Sequence, residues 1–260
     1  AVAAAQSAVV GYVAGQYRLA LSQHDAGDAH SAIRFLRRSA DVARQAGWEE
    51  EAQRLERQAQ LMRHFRTNNR FSATSVDQLP HHLVSMWMFG HKSLFPIPDI
   101  DRTDYFLMLG ANPIASNGSI WTVPDVRKRI KDLKKRGGKL VVIDPRRTET
   151  AELASEHHFT TPGTDALLLA AMLNTLFEEK LTALGSLADI TDGLDVVAAA
   201  VADLTPELAA RHCGIAAGEI RRLARELAAA PAGICYGRMG VSTQAYGALC
   251  QWLIQVINVA

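Results

Sequence analysis

Apolar residues recur at intervals of three and four along the first 66 positions. Ile33, Leu36, Ala40 and Ala43 share one face, as do Ala52, Leu55, Ala59 and Met62, the spacing of helices that bury one side. An earlier stretch with Val10, Val13 and Tyr17 follows the same rule, no proline interrupts the region, and "AGD" (26–28) and "AGW" (46–48) punctuate it. From Thr67 the pattern changes. "YFLMLG" (105–110) is a continuous apolar run and predicts a buried strand, followed by a loop, "ANPIASNGSIW". A helix is predicted from about Pro124 to Arg136, with Val126, Ile130 and Leu133 inward, proline in its first turn and Gly137-Gly138 as its stop. "KLVVID" predicts the second strand. Helices follow at 165–179, 187–202, 205–212 and 216–229, then a third strand, "GICYG" (233–237), and a buried helix running to the end. Strands alternating with helices predict an α/β fold, a parallel sheet flanked by helices and preceded by an all-α region, with domains 1–66 and 67–260.

The small-residue pattern "AGDAHSAIRFLRRSADVARQAGWEEEAQRL" weakly resembles a tetratricopeptide-like helical hairpin, which implies a surface for a protein partner through residues 1–66. Charge narrows the picture further: 28 basic against 27 acidic residues create no global field for nucleic acid or membrane. The basic run "RKRIKDLKKRGGK" reads as the solvated side of a helix whose inner face is Val126, Ile130 and Leu133. No apolar run approaches the roughly 18 residues of a membrane span. Three distant cysteines, Cys213, Cys235 and Cys250, suggest reduced thiols and a cytoplasmic location, and they are too few for an iron–sulfur cluster of the usual four thiolates. The start has neither an initiator Met nor a basic leader region, so the expectation is a partial chain.

Ligands of open α/β sheets sit beyond the carboxyl ends of the strands, where three loops should converge. In "GANPIASNGS" (110–119), Gly110 and Gly118 permit close backbone approach, while Asn112, Ser116, Asn117 and Ser119 bring donors near a helix start. The spacing is not that of an ordinary dinucleotide fingerprint. In "DPRR" (144–147), Asp144 suits ribose hydroxyls, and Arg146 or Arg147 suits a phosphate or the face of a base. In "TTPGTDALLLAA" (160–171), Pro162-Gly163 turns the chain, Thr164 caps and Asp165 opens a helix. There Asp165 either complements the helix dipole or accepts from the two-donor edge of a guanine.

These segments, with "GRMGVSTQAYGALCQWLIQVIN", resemble the core of the molybdopterin oxidoreductases, the family of formate dehydrogenases, nitrate reductases and dimethyl sulfoxide reductase. The resemblance runs from about Thr67 to the end. It implies a Rossmann-like sheet and a molybdenum or tungsten ion held by two molybdopterin guanine dinucleotides. It further implies a small-molecule redox substrate and an electron-transfer partner. On that reading Gly110, Asn112, Asp144, Arg146, Gly163 and Asp165 meet a guanine dinucleotide, and Gly240 and Gln244 approach the pterin. The family's protein ligand to the metal lies about three residues before a proline; counting back from Pro80 in "TNNRFSATSVDQLPHHLV" gives Asp77, catalytic in that role. Ser75 is the alternative, with Ser72 or Thr74 reached by a small shift. Asp77 also suits a cap for the helix expected near Leu79. His81, His82, His157 and His158 read as surface or supporting groups. No cysteine precedes Cys213, so a thiolate ligand is excluded within the chain. The family's amino-terminal cysteine-cluster segment and closing barrel domain have no counterpart here, so the chain is expected to be a fragment, incomplete for catalysis, or a fusion. A helical interaction adaptor carrying a degenerate nucleotide-binding domain is the alternative.

Overall fold

The computed structural model describes residues 29–45, 49–65, 74 and 76–260. The chain divides into two compact units, with the boundary between Ser72 and Ala73. In the first, α1 (Ala29–Gln45) packs on α2 (Glu49–Phe65). The seam is built from Ile33, Leu36, Ala40, Ala43, Ala52, Leu55 and Ala59, the positions picked out by their spacing. The side chain of Met62, the stretch around Val10 to Tyr17 and the two turn tripeptides lie outside the described residues. At the surface of this pair, Arg44 of α1 donates to Glu56 of α2 at 2.6 Å.

The second unit is built on four parallel strands: β1 (Tyr105–Leu109), β2 (Lys139–Ile143), β3 (Glu156–His158) and β4 (Gly233–Gly237), in spatial order β3-β2-β1-β4. Side chains alternate across a strand, so the apolar runs supply two cores. Tyr105, Leu107, Leu109, Val141, Ile143 and Cys235 face one side. They meet α7 (Asp165–Glu178), α9 (Pro206–Cys213), α10 (Ala217–Ala229) and α12 (Gly247–Val259). Phe106, Met108, Leu140, Val142 and Tyr236 face the other, against Trp121 and α5 (Val126–Lys135), whose inner residues are Val126, Ile130 and Leu133 as expected. Both faces are covered, the condition under which a parallel sheet reads as unbroken apolar runs. The α/β, Rossmann-like expectation therefore holds.

Several local expectations need correction. The helix expected over 187–202 is a 3-10 turn, Gly185–Ile190, and a separate helix, α8 (Leu194–Val201). Gly193 at φ +83° breaks the run, because that backbone conformation cannot continue a helix. Thr164 stands at the cap position of α7, as expected, but its side chain makes no capping bond; its hydroxyl donates to the Thr161 carbonyl. The loop after β1 contains a short helix, α4 (Pro113–Ser116), and a 3-10 turn over Ser119–Trp121. Two further elements carry no apolar signal: β3, whose sequence is "EHH", and α6 (Glu149–Leu153). The three cysteines are buried and free. No helix among the described residues is long and apolar enough to cross a membrane.

Candidate functional site

Parallel pairing puts the strand ends in register: Leu109 lies beside Ile143 and Gly237, and Ile143 beside His158. The residues that follow them therefore emerge at one rim. The sequence order reverses between β1 and β4, which is where an open sheet offers a crevice. Gly110 and Gly240 meet there. The Gly240 amide donates to the Gly110 carbonyl at 2.8 Å. A β-carbon at Gly110 would lie 2.8 Å from the Gly240 backbone, and one at Gly240 would lie 2.7 Å from Gly110. Gly110 also has φ +53°, so glycine is required twice over.

From this contact the other rim residues can be followed by hydrogen bonds. The turn helix α11 (Met239–Ser242) is followed by Gln244, whose Nε2 donates to the Gly240 carbonyl at 2.7 Å and to Asp165 Oδ2 at 2.7 Å. Asp165, the first residue of α7, is only 3% exposed. Burial pushes its carboxyl above the ordinary range, the Gln244 hydrogen bond opposes this, and the charge of Asp144 pushes it further up. The two carboxylates thus lie within electrostatic reach. Asp144 Oδ1 accepts from the Arg146 amide at 2.8 Å, and its carbonyl lies 3.0 Å from the His157 ring. Arg146 is exposed, 3.8 Å from Glu149. Gly163 turns at φ +86° with open space around it.

Asn112 is at the same rim, but its amide is committed to the protein. Its Nδ2 donates to Glu149 at 2.7 Å, and its Oδ1 accepts from the Thr150 hydroxyl at 2.7 Å. It pins the loop after β1 to the start of α6.

Asp77 precedes α3 (Leu79–Phe89) without capping it; the cap position is Gln78. Its Oδ2 pairs with Arg238 at 3.0 Å, the two side chains being 13% and 5% exposed. Arg238 also donates to the Asp77 carbonyl at 3.2 Å and to the Ser119 hydroxyl at 2.8 Å. Among the described residues, Asp77 Oδ1 and Arg238 Nε are buried with no hydrogen-bond partner. Sequence reasoning missed Arg238; the signal was an arginine directly behind the buried strand "GICYG". Ser75 and Ser72 lie outside the described residues, and Thr74 is exposed. His81 lies 3.3 Å from the Ser242 hydroxyl, which also accepts from Gln251 at 2.9 Å. Burial, and then the charge of Arg238, lowers its pKa to about 4, so it is neutral at pH 7.

Comparison with known proteins points to one family. The family model for molybdopterin oxidoreductase matches residues 43–255, starting ahead of the change of texture at Thr67. The dimethyl sulfoxide/trimethylamine N-oxide reductase of Cereibacter sphaeroides is 30% identical over 185 residues, 68% of this chain and 22% of that protein. Formate dehydrogenase H of Escherichia coli (strain K12) is 35% identical over 150 residues, 58% of this chain and 20% of that protein. The chain thus spans about a fifth of the length of these relatives. Among solved structures, acetylene hydratase from Pelobacter acetylenicus superposes with a TM-score of 0.60 at 22% identity, covering 70% of this chain and 24% of that one, a likeness of fold.

Proposed function

The chain belongs to the molybdopterin oxidoreductase family, and on that premise we propose that its second unit grips the guanosine end of a molybdopterin guanine dinucleotide and sets Asp77 beside the metal. The observation that carries this reading is the meeting of Gly110, Asp144, Asp165 and Gly240 at one rim of the sheet, at the reversal of strand order. The donor set also fits. Among the described residues no group of three or more His, Cys, Asp or Glu gathers to hold a metal. A metal here would take most of its ligands from cofactor sulfurs, and the unpartnered Asp77 Oδ1 is the protein donor, with Ser75 the alternative. When bound, the pterin-held molybdenum or tungsten would supply two-electron redox chemistry.

The chain's own residues bind and orient. Asp165 would accept from the two-donor edge of guanine; Gln244 fixes its Oδ2, whose second lone pair stays available. Asp144, half-buried and held by its turn, would accept from ribose hydroxyls, and exposed Arg146 would meet phosphate. Gly163 leaves its turn clear of neighbouring atoms, while Gly110 lets the Gly240 backbone pack against it and so shapes the rim. Asn112 acts by holding the rim together, with at most one amide hydrogen left for the ligand. In the complete enzyme a small-molecule substrate would react beside Asp77, electrons would pass to a partner protein, and the location would be cytoplasmic.

The test uses the full-length polypeptide matured in a host that makes the cofactor. Metal is measured by mass spectrometry of the digested protein, and guanine nucleotide after acid release. Molybdenum or tungsten with guanine nucleotide is expected, and Asp144→Ala or Asp165→Ala should deplete the guanine. Active enzyme free of both metal and guanine would defeat the reading.

A further inference from the structure

The Asp77–Arg238 pair is half-satisfied in an unusual way. Arg238 follows β4 directly and is 4% exposed, yet its guanidinium serves two other segments of the chain at once. It holds Asp77 Oδ2 at 3.0 Å, the carbonyl of the same Asp77 at 3.2 Å and the Ser119 hydroxyl at 2.8 Å. A purely structural pair in a dry site would use both carboxylate oxygens, since a bidentate fork is the natural match of guanidinium to carboxylate. Here Oδ1 is left buried and without a partner among the described residues, the kind of exception that calls for an explanation.

We propose that Arg238 is the positioning residue of Asp77: by holding Oδ2 and the main-chain carbonyl it fixes the carboxylate and leaves Oδ1 as the single oxygen for a metal. This deepens the assignment of Asp77 as ligand and rests on it. Two anchors on one residue remove the rotation about the Cβ–Cγ bond that would let the second oxygen swing in. The Ser119 contact steadies the guanidinium, so the turn holding Asp77 is tied to the 3-10 turn after β1 and to the end of β4. Lysine could not do the same, because its ammonium is a point charge without a planar fork. Among the described residues, Arg238 is the cation paired with the Asp77 carboxylate, and His81 of α3, uncharged at neutral pH, lies close enough to feel the charge of Arg238.

The experiment compares Asp77→Ala, Arg238→Met, Arg238→Lys and the Asp77→Ala/Arg238→Met double variant in the full-length, cofactor-loaded protein. Metal loss to a chelator is timed, and X-ray absorption at the metal edge reports the ligand set. Arg238→Met should speed metal loss about 10- to 100-fold, the usual effect of losing a group that orients a ligand, and Asp77→Ala, which removes the ligand itself, at least as much. They should also give the same altered edge spectrum, with the double variant no worse than Asp77→Ala. Arg238→Lys should fall between Arg238→Met and the parent. It keeps the charge in the same core and provides the test if Arg238→Met does not fold. If Asp77→Ala sheds its metal while the Arg238 variants hold theirs at the parental rate or longer, the positioning role is wrong and Asp77 stands. If Asp77→Ala itself keeps metal and spectrum unchanged, the ligand assignment falls and the positioning role with it.

Discussion

Asp165 carries a cost of burial that its Gln244 hydrogen bond offsets only in part. Burial raises its pKa, so its contribution to folding is full below the unfolded carboxylate range and fades as pH rises past the folded value. Asp165→Asn should therefore raise the melting temperature of the cofactor-free protein at pH 8, with the gain shrinking toward pH 4, while guanine retention falls. Melting curves at the two pH values read this directly. His81 works in the opposite sense. Its folded pKa of about 4 lies below the ordinary 6.5, so stability is present above 6.5 and is lost as pH falls through that window. The loss is on the order of 3 kcal/mol at full protonation, and His81→Asn should remove that part of the acid sensitivity in denaturant titrations at pH 7 and pH 4.5. Legibility at this scale was uneven. Gly110, Asp144 and Asp165 could be read because each stands next to a recognisable strand or helix boundary. The pairing of Asp77 with Arg238 could not, since 161 residues separate them and no local pattern encodes a contact across that distance.

Elements were legible in proportion to their burial. β1 and β2 announce themselves as unbroken apolar runs because both faces of the sheet are covered. β3 stayed hidden, since a three-residue edge strand needs no apolar sequence, and its Glu156 serves an ion cluster with Lys139 and Arg222 and lies 3.3 Å from the His158 ring. α5 showed its 3.6-residue period because only one side is buried, whereas α7 is apolar nearly all round and could be placed only by its opening Pro-Gly-Thr-Asp. Within α7, Leu168, Leu169, Met172 and Leu173 are fully enclosed. Leu169→Ala should cost about 2–5 kcal/mol by leaving a cavity at that level of the core. Because α7 also carries Asp165 at its first position, guanine retention should weaken in the same variant, measured as nucleotide released after gel filtration.

At the scale of the second unit, the rim carboxylates and a mixed-charge cluster occupy different places on the sheet. Acidic Asp144 and Asp165 hold the carboxyl rim, while Lys139, Glu156, Arg222 and Glu226 neutralise one another at the edge formed by β2, β3 and α10. Since no described cluster of donors can hold a metal unaided, cofactor-free protein incubated with molybdate and desalted should keep less than about a tenth of an equivalent. Elemental analysis checks this, and stoichiometric retention would point to a binding site of a different kind. Family and sheet were legible because motif order survives at about 30% identity; substrate was not, because the matched segment is about a fifth of the relatives' length. The contact of Gly110 with Gly240 has a further consequence. A visitor at that crevice would meet peptide groups instead of side chains, so an exposed neighbour such as Met239 is free to drift through mutation without altering its welcome. Heredity is held to account at two positions, and a single methyl group at either would shut the door.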